Sequence, residues 1–221
     1  MKPTHSPAEV TVVIPCRNEE GALPAVLSAV PPGYRVIVVD NGSTDATAAV
    51  ARSGGAMLVS QPQPGYGIAV RAGIDAAETE VVAVLDGDGS LDPAELPRLV
   101  AALGPEVDMV AGRRRPAGFG VWPWHARLGN ALLAHRLRRR HGLPIHDIAA
   151  MRVHRRDRLQ ALGPLHPRSG YPLDLLVSAA RAGWRIVEHD ITYRRRSHGR
   201  SKVSGSVRGS VTAAQDFWSV R

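Results

Sequence analysis

The sequence predicts an α/β chain: a three-layer sandwich around a mostly parallel central sheet. Short apolar, β-branched runs recur at 10–15, 35–40, 56–60 and 80–86, the pattern of strands buried on both faces. Between them lie alanine-rich stretches at 20–30, 44–53 and 67–77, each opened by a cap or turn residue. Three of the four runs end in polar signals: Arg17-Asn-Glu-Glu, Asp40-Asn-Gly-Ser and Asp86-Gly-Asp-Gly. Open α/β sheets bind their ligands at that carboxyl edge.

Taken in order, Val10-Thr-Val-Val-Ile-Pro15 is a first strand closed by proline, and 35–40 is a second. Ser43-Thr-Asp-Ala supplies an N-cap for the helix that follows. The run at 56–60 is a weaker strand and 80–86 a strong one. Beyond them, 107–112 reads as a strand and 113–123 as a loop broken by glycine and proline. A helix is expected over 126–140, with Leu128, Leu132, Leu133 and Leu137 on one face and arginines around it. Helices at 157–162 and 173–182 and a strand at 184–193 follow. A loop at 194–206 and a closing helix at 207–220 complete the reading. No repeat or linker interrupts the chain, so 1–221 is read as one domain with a donor half, 1–112, and a basic half, 113–221.

Composition sets limits. With 221 residues, 44% of them hydrophobic, the chain can bury one full core. Its single cysteine excludes an intramolecular disulfide framework and a multi-cysteine zinc site. No apolar run approaches membrane-spanning length, and residues 1–10 contain no apolar stretch, so neither a spanning helix nor a secretory signal is expected. Charge divides the chain sharply. Residues 1–112 hold 6 basic and 14 acidic side chains, a net −8; residues 113–221 hold 22 and 6, a net +16. Nearly all the basic residues are arginines, whose planar fork suits phosphate oxygens. Phosphorylated ligands, anionic membranes and nucleic acid all fit such a surface. Aromatic residues, 5% of the chain, are too few for a base-stacking platform, so no nucleic-acid partner is expected.

The chemistry centres on Asp86-Gly-Asp88. Residues i and i+2 at a strand end point the same way, so both carboxylates face one point. Adjacent carboxylates repel unless a cation or a proton separates them. Hard oxygen donors suit Mg²⁺ or Mn²⁺, ions commonly shared with substrate phosphates. A glycine-rich basic loop, as a nucleotidyltransferase needs after its first strand, is replaced here by Pro15-Cys-Arg-Asn-Glu.

Four segments together, 12–19, 38–45, Gly65-Tyr-Gly-Ile-Ala-Val-Arg-Ala-Gly73 and Asp86-Gly-Asp88, resemble the successive signatures of family 2 glycosyltransferases. The resemblance implies a GT-A fold and inverting, metal-dependent transfer of a hexose from a nucleotide-sugar. By the same resemblance Pro15, Glu19, Asp40, Asn41, Arg71 and Asp86 line the nucleotide-sugar pocket, and Asp86 and Asp88 bind Mg²⁺ or Mn²⁺. The family commonly has a second aspartate where Asn41 stands. An amide that reads the base would suit uracil, which favours a UDP-sugar over GDP-mannose, unless Asn41 only stabilises the turn.

On the acceptor side, Arg196-Ser-His-Gly199-Arg-Ser201-Lys202 resembles the loop of dolichyl-phosphate-mannose synthase and other polyprenyl-phosphate glycosyltransferases. In that group it closes over the phosphates, which implies catalytic roles for Arg196 and Lys202 and acceptor-phosphate contacts for Ser201, Arg113 and Arg127. Asp147 is a candidate general base or acceptor-orienting group, and Asp174 a second candidate or a plain helix-start acid. Arg114, Arg115 and 138–140 read as solvated or membrane-facing. Trp122, Trp124 and the helix after them suit a lipid surface, or an ordinary core-packed helix. The expected acceptor is a polyprenyl phosphate at the cytoplasmic membrane face, the alternative a soluble small molecule or glycan hydroxyl.

Overall fold

The computed structural model describes residues 5–148 and 150–198. Among the described residues seven strands form one sheet: β1 (Val10–Cys16), β2 (Arg35–Asp40), β3 (Met57–Ser60), β4 (Val81–Val84), β5 (Met109–Pro116), β6 (Met151–Arg155) and β7 (Ile186–Tyr193). Their spatial order is β3-β2-β1-β4-β6-β5-β7. Only β6 runs against its neighbours; β1 to β4 pair parallel to one another, as do β5 and β7. Seven α-helices accompany the sheet: α1 (Leu23–Ala29), α2 (Thr47–Ser53), α3 (Tyr66–Ala76), α4 (Leu96–Ala102), α5 (Trp124–His141), α6 (Arg156–Ala161) and α7 (Tyr171–Arg181).

Two apolar clusters, one on each face, make the expected three layers. On one face Val12, Ile14, Val38 and Ala83 pack against Leu23 and Val26 of α1, Ala51 of α2 and Leu96, Leu99 and Val100 of α4. On the other, Val13, Val39, Val82 and Met109 meet Ala69, Val70 and Ile74 of α3, Leu137 of α5 and Leu175 and Leu176 of α7. Alternate residues of each strand feed opposite clusters, which is why these strands read as unbroken apolar runs. Gly73 lets α3 sit close to the sheet, because a Cβ there would run into Val13 and Val39.

The structure departs from the sequence reading in several places, and one expectation falls outside it. The strand at 107–112 continues through Arg113, Arg114 and Arg115 to Pro116, so the loop begins later and the boundary at 112 falls inside β5. Helix α4 and strand β6 were not anticipated from the sequence. In α5 the four leucines do not share a face. Leu137 is buried and Leu133 partly so, whereas Leu128 and Leu132 are 52% and 62% exposed. The closing helix at 207–220 lies outside the described residues.

Strand β6 also buries a histidine. His154 is fully enclosed, and neither ring nitrogen has a hydrogen-bond partner in the structure. Burial, aided by the nearby positive Arg152, pushes its pKa down from 6.5 to about 3. The unfolded chain therefore binds a proton between these values that the folded chain refuses. Stability should fall as the pH drops below about 6.5, with a limiting slope of about 1.4 kcal/mol per pH unit from this residue. Urea unfolding of the wild type and His154→Leu from pH 7 to pH 4 checks this. The variant should gain relative stability toward acid, and parallel curves would rule the mechanism out.

Candidate active site

The carboxyl ends of β1, β2 and β4 lie together, with Cys16 opposite Asp40 and Val13 opposite Val84 in the ladder. Loops leaving β1 and β2 are stitched to each other. Asn18, at a left-handed φ of 54°, accepts the Thr44 N–H through Oδ1 at 2.8 Å and donates its own N–H to Ser43 Oγ at 3.0 Å. Thr47 Oγ1 accepts the Glu19 N–H at 2.8 Å, and Glu20 Oε2 accepts the Ala46 N–H at 2.8 Å. Pro15 is half-buried in β1, Glu19 is 9% exposed, and Asp40 Oδ1 caps the turn by accepting the Ser43 N–H at 3.0 Å.

Asn41 is buried and works on the backbone. Its Nδ2 donates to the carbonyls of Gln61 and Gln63 at 2.8 and 2.7 Å, and its Oδ1 accepts the Gly65 N–H at 2.9 Å. Both amide donors are spent on the loop leading into α3. The turn-stabilising reading therefore replaces base recognition, and the inclination to uracil that rested on this side chain falls away. Arg71 also turns elsewhere: Nε bridges both Asp75 oxygens at 2.9 Å and Nη1 donates to the Gly163 carbonyl at 3.3 Å.

Asp86 and Asp88 form the acidic centre. Asp88 is 3% exposed; its Oδ1 accepts the Ser90 N–H at 2.8 Å and its Oδ2 lies 2.9 Å from Arg196 Nη2. Arg196 Nη1 lies 4.0 Å from Glu19 Oε1, so one guanidinium spans two acids. Gly89, at φ +75°, brings the chain so close to Ser197 that a Cβ there would stand 2.6 Å from Oγ. Asp86 Oδ1 accepts the Tyr66 hydroxyl at 3.3 Å. Burial, then repulsion from Asp88, pushes the Asp86 carboxyl up to about 6. A pair that resists carrying two negative charges fits a divalent cation, and carboxylate oxygens suit Mg²⁺ or Mn²⁺. Among the described residues no group of three or more His, Cys, Asp or Glu side chains could hold a metal ion. Phosphate oxygens and water are common further ligands of such an ion.

Asp147 occupies a different position from the one expected of a base. It is 2% exposed and wholly engaged by Arg114. Oδ2 accepts the Arg114 N–H at 2.8 Å and Nε–H at 2.9 Å, while Oδ1 accepts Nη2–H at 2.7 Å. Arg114 is accordingly neither solvated nor membrane-facing. Its guanidinium carbon stands 4.2 Å from the Trp122 ring centroid and 5.5 Å from that of Tyr193, an aromatic cradle for a cation. Burial works against its charge, and the Asp147 hydrogen bonds outweigh that effect and raise its pKa. Strand alternation held the missed signal. Arg113 and Arg115 both approach Asp190, at 3.9 and 2.8 Å, so Arg114 between them faces the other way.

Other candidates divide. Arg127 is exposed on the first turn of α5, and Arg113 also reaches Glu188 at 3.9 Å. Asp174, half-buried at the start of α7, accepts the His166 N–H at 2.7 Å. Ser201 and Lys202 lie outside the described residues. Arg152, buried and linked to Asp86 through the Tyr66 hydroxyl, matches the family pattern in sequence but is given no role there.

A polar pair at the carboxyl edge of such a sheet is a site in search of a family, and residues 11–163 match the family model "Glycosyl transferase family 2". The chain belongs to glycosyltransferase family 2. It is 60% identical over 211 residues to an uncharacterized glycosyltransferase of Mycobacterium tuberculosis, covering 96% of this chain and 97% of that one. It is 33% identical over 233 residues to polyprenol monophosphomannose synthase of Mycolicibacterium smegmatis, covering 95% and 86%. The GT-A fold is the one seen in glucosyl-3-phosphoglycerate synthase of M. tuberculosis. That enzyme's complex with Mg²⁺ and UDP superposes with a TM-score of 0.73 at 25% identity, over 95% of this chain and 78% of that one. Its complex with phosphoglyceric acid gives 0.73 at 25% identity, over 99% and 86%.

The expected subgroup is corrected here. What the glycosyltransferase fold matches is a synthase crystallised with a small soluble acid, so the resemblance is to glucosyl-3-phosphoglycerate synthase and not to the polyprenyl-phosphate group. The motif that suggested the polyprenyl group runs from Arg196 mostly into residues outside those described.

Proposed function

We propose that this glycosyltransferase moves a hexose from a UDP-sugar, with inversion, to a small soluble acceptor carrying negative charge. The observation that carries the reading is the pair of buried Asp88 and half-buried Asp86 at the sheet's carboxyl edge, next to Arg114, Arg152 and Arg196. Supporting it, the matched synthase was crystallised with UDP, with Mg²⁺ and with phosphoglyceric acid. Residues 1–112 hold the donor and residues 113–221 the acceptor, the two sharing one sheet. UDP-sugars place the reaction in the cytoplasm.

In this reading an acceptor oxygen attacks the anomeric carbon from the face opposite the diphosphate. The C–O bond to UDP breaks and its electron pair leaves on the β-phosphate. Asp86 and Asp88 would hold a divalent cation, which would supply charge neutralisation for that leaving group. Arg196, paired with Asp88 and Glu19, is the arginine that would move onto the donor phosphates; Lys202 and Ser201 are further phosphate-binding candidates on the sequence resemblance alone. Glu19, Asp40 and Pro15 shape the nucleotide side, while Arg113 and Arg127 draw in the acceptor's negative group. A hydroxyl acceptor must lose its proton, and with Asp147 held by Arg114 the remaining acidic candidate of the sequence is Asp174, whose own carboxylate accepts the His166 N–H.

The test uses purified protein, Mn²⁺ and labelled UDP-glucose with phosphoglyceric acid and a set of sugar phosphates. Label in a new anionic, water-soluble product that disappears with EDTA is the expected result. Label extracted into organic solvent with a polyprenyl phosphate, and none in the soluble set, would overturn the acceptor class.

One surface supports a peripheral role as well. Four large apolar side chains stand exposed together along 119–132: Phe119, Trp124, Leu128 and Leu132. The last three follow one stripe of α5, a helix with no acidic residue that continues through exposed Arg136, Arg139 and Arg140. Such a face fits an anionic lipid surface. Among the described residues no helix is long and apolar enough to cross a membrane, so contact would be superficial. Binding to phosphatidylglycerol-containing vesicles should weaken at least tenfold in Trp124→Ser/Leu128→Ser/Leu132→Ser, with activity on a soluble acceptor retained. Equal sedimentation of both proteins would refute the contact.

A further inference from the structure

Arg152 is fully buried and is among the bulkiest side chains the protein encloses. It rises from β6, in register with Val84 on β4 and Ala111 on β5, between two apolar strands. A cation at such a place is costly unless something nearby needs its charge. Its contacts lead in one direction. Nη2 donates to the Tyr66 hydroxyl at 2.9 Å, and that hydroxyl donates to Asp86 Oδ1 at 3.3 Å. The guanidinium carbon also stands 5.6 Å from the Tyr171 ring centroid. Tyr66 opens α3 and Tyr171 opens α7, and the two rings meet edge to face at 6.1 Å. Nε and Nη1 of Arg152 make no hydrogen bond in the structure.

We propose that Arg152 and Tyr66 are positioning residues for Asp86. They form a tier beneath the carboxylate pair, running from the sheet interior to one Asp86 oxygen. That oxygen is pinned by the tyrosine hydroxyl, which leaves Oδ2 to face the cation and the donor. Arg152's fixed positive charge is also close enough to favour the ionised Asp86 carboxylate. Both helix starts are held by the same tier, which ties the carboxylate's orientation to the packing of α3 and α7. The proposal rests on Asp86 and Asp88 being the cation site.

Mn²⁺ affinity measured by electron paramagnetic resonance without donor, alongside donor KM and kcat, provides the test. Tyr66→Phe removes one oxygen and keeps the ring, so it isolates the hydroxyl. Tyr66→Phe should bind Mn²⁺ about tenfold more weakly, the usual cost of losing an outer support of a metal ligand, with donor KM raised and the fold retained. Arg152→Lys should fall between wild type and Arg152→Met. Wild-type Mn²⁺ affinity in folded Tyr66→Phe and Arg152→Lys, with Asp86→Asn impaired, would overturn the positioning role alone. Wild-type affinity in Asp86→Asn too would overturn the cation site beneath it. Should Arg152→Met fail to fold, Tyr66→Phe and Arg152→Lys still decide the matter.

Discussion

Asp88→Asn is expected to cut sugar transfer by about 10²–10³-fold while leaving the fold intact. Asp88 is the more buried of the acidic pair, and its Oδ2 is the oxygen engaged by Arg196. Asparagine keeps an acceptor for the Ser90 N–H, now at 2.8 Å from Oδ1, so the turn survives. It removes one of two charges that repel each other, since Asp88 is a cause of the raised pKa of Asp86. The unfolding midpoint should therefore hold or rise even as activity is lost, the usual opposition between a charged site and stability. Excess Mn²⁺ should not restore the rate, whereas a conservative Asp88→Glu should recover part of it. Thermal unfolding beside initial rates across a Mn²⁺ series reads both quantities. Activity within threefold of wild type would remove Asp88 from the chemistry.

That pair was legible from sequence because a buried parallel strand announces itself as an apolar run, and polar residues at its end then stand out. Strand β6 gave no such announcement. Met151-Arg-Val-His-Arg155 alternates apolar and polar like a strand with one face in water, yet Arg152 and His154 are both fully buried. Hydropathy counts a buried arginine as surface, so the residue beneath Asp86 stayed hidden. Helix α4 was readable, with Leu96, Leu99, Val100 and Leu103 at helical spacing and buried, after a short turn at 93–95 that Asp92 caps through the Ala94 N–H at 3.0 Å. Its Pro97, tolerated in a first turn, masked the pattern. The leucines of α5 mislead for another reason. Residues 128 and 132 form one stripe and 133 and 137 the next, and only the second meets the sheet layer.

The second large effect concerns Arg114 and Asp147, and its sign separates a structural pair from a general base. Arg114→Met strands a carboxylate that is 2% exposed, and Asp147→Asn sets an amide against a guanidinium it can no longer neutralise. Each should cost about 3–5 kcal/mol of stability, the penalty for leaving one buried charge unpaired. Arg114→Met/Asp147→Asn removes both charges together and should recover most of that loss. A general base would behave otherwise: Asp147→Asn would lower kcat with little effect on stability, and the double variant would be no more stable than either single one. Arg114 also stacks on Trp122 and contributes to the electrostatics of Asp86, so the repaired double variant should remain poorly active, with acceptor KM raised. Urea unfolding across the four-protein cycle gives the coupling, and steady-state kinetics on the same proteins give the KM and kcat split. Additive stabilities would show that the pair does not act as a unit. Full activity in the double variant would confine Arg114 to the scaffold.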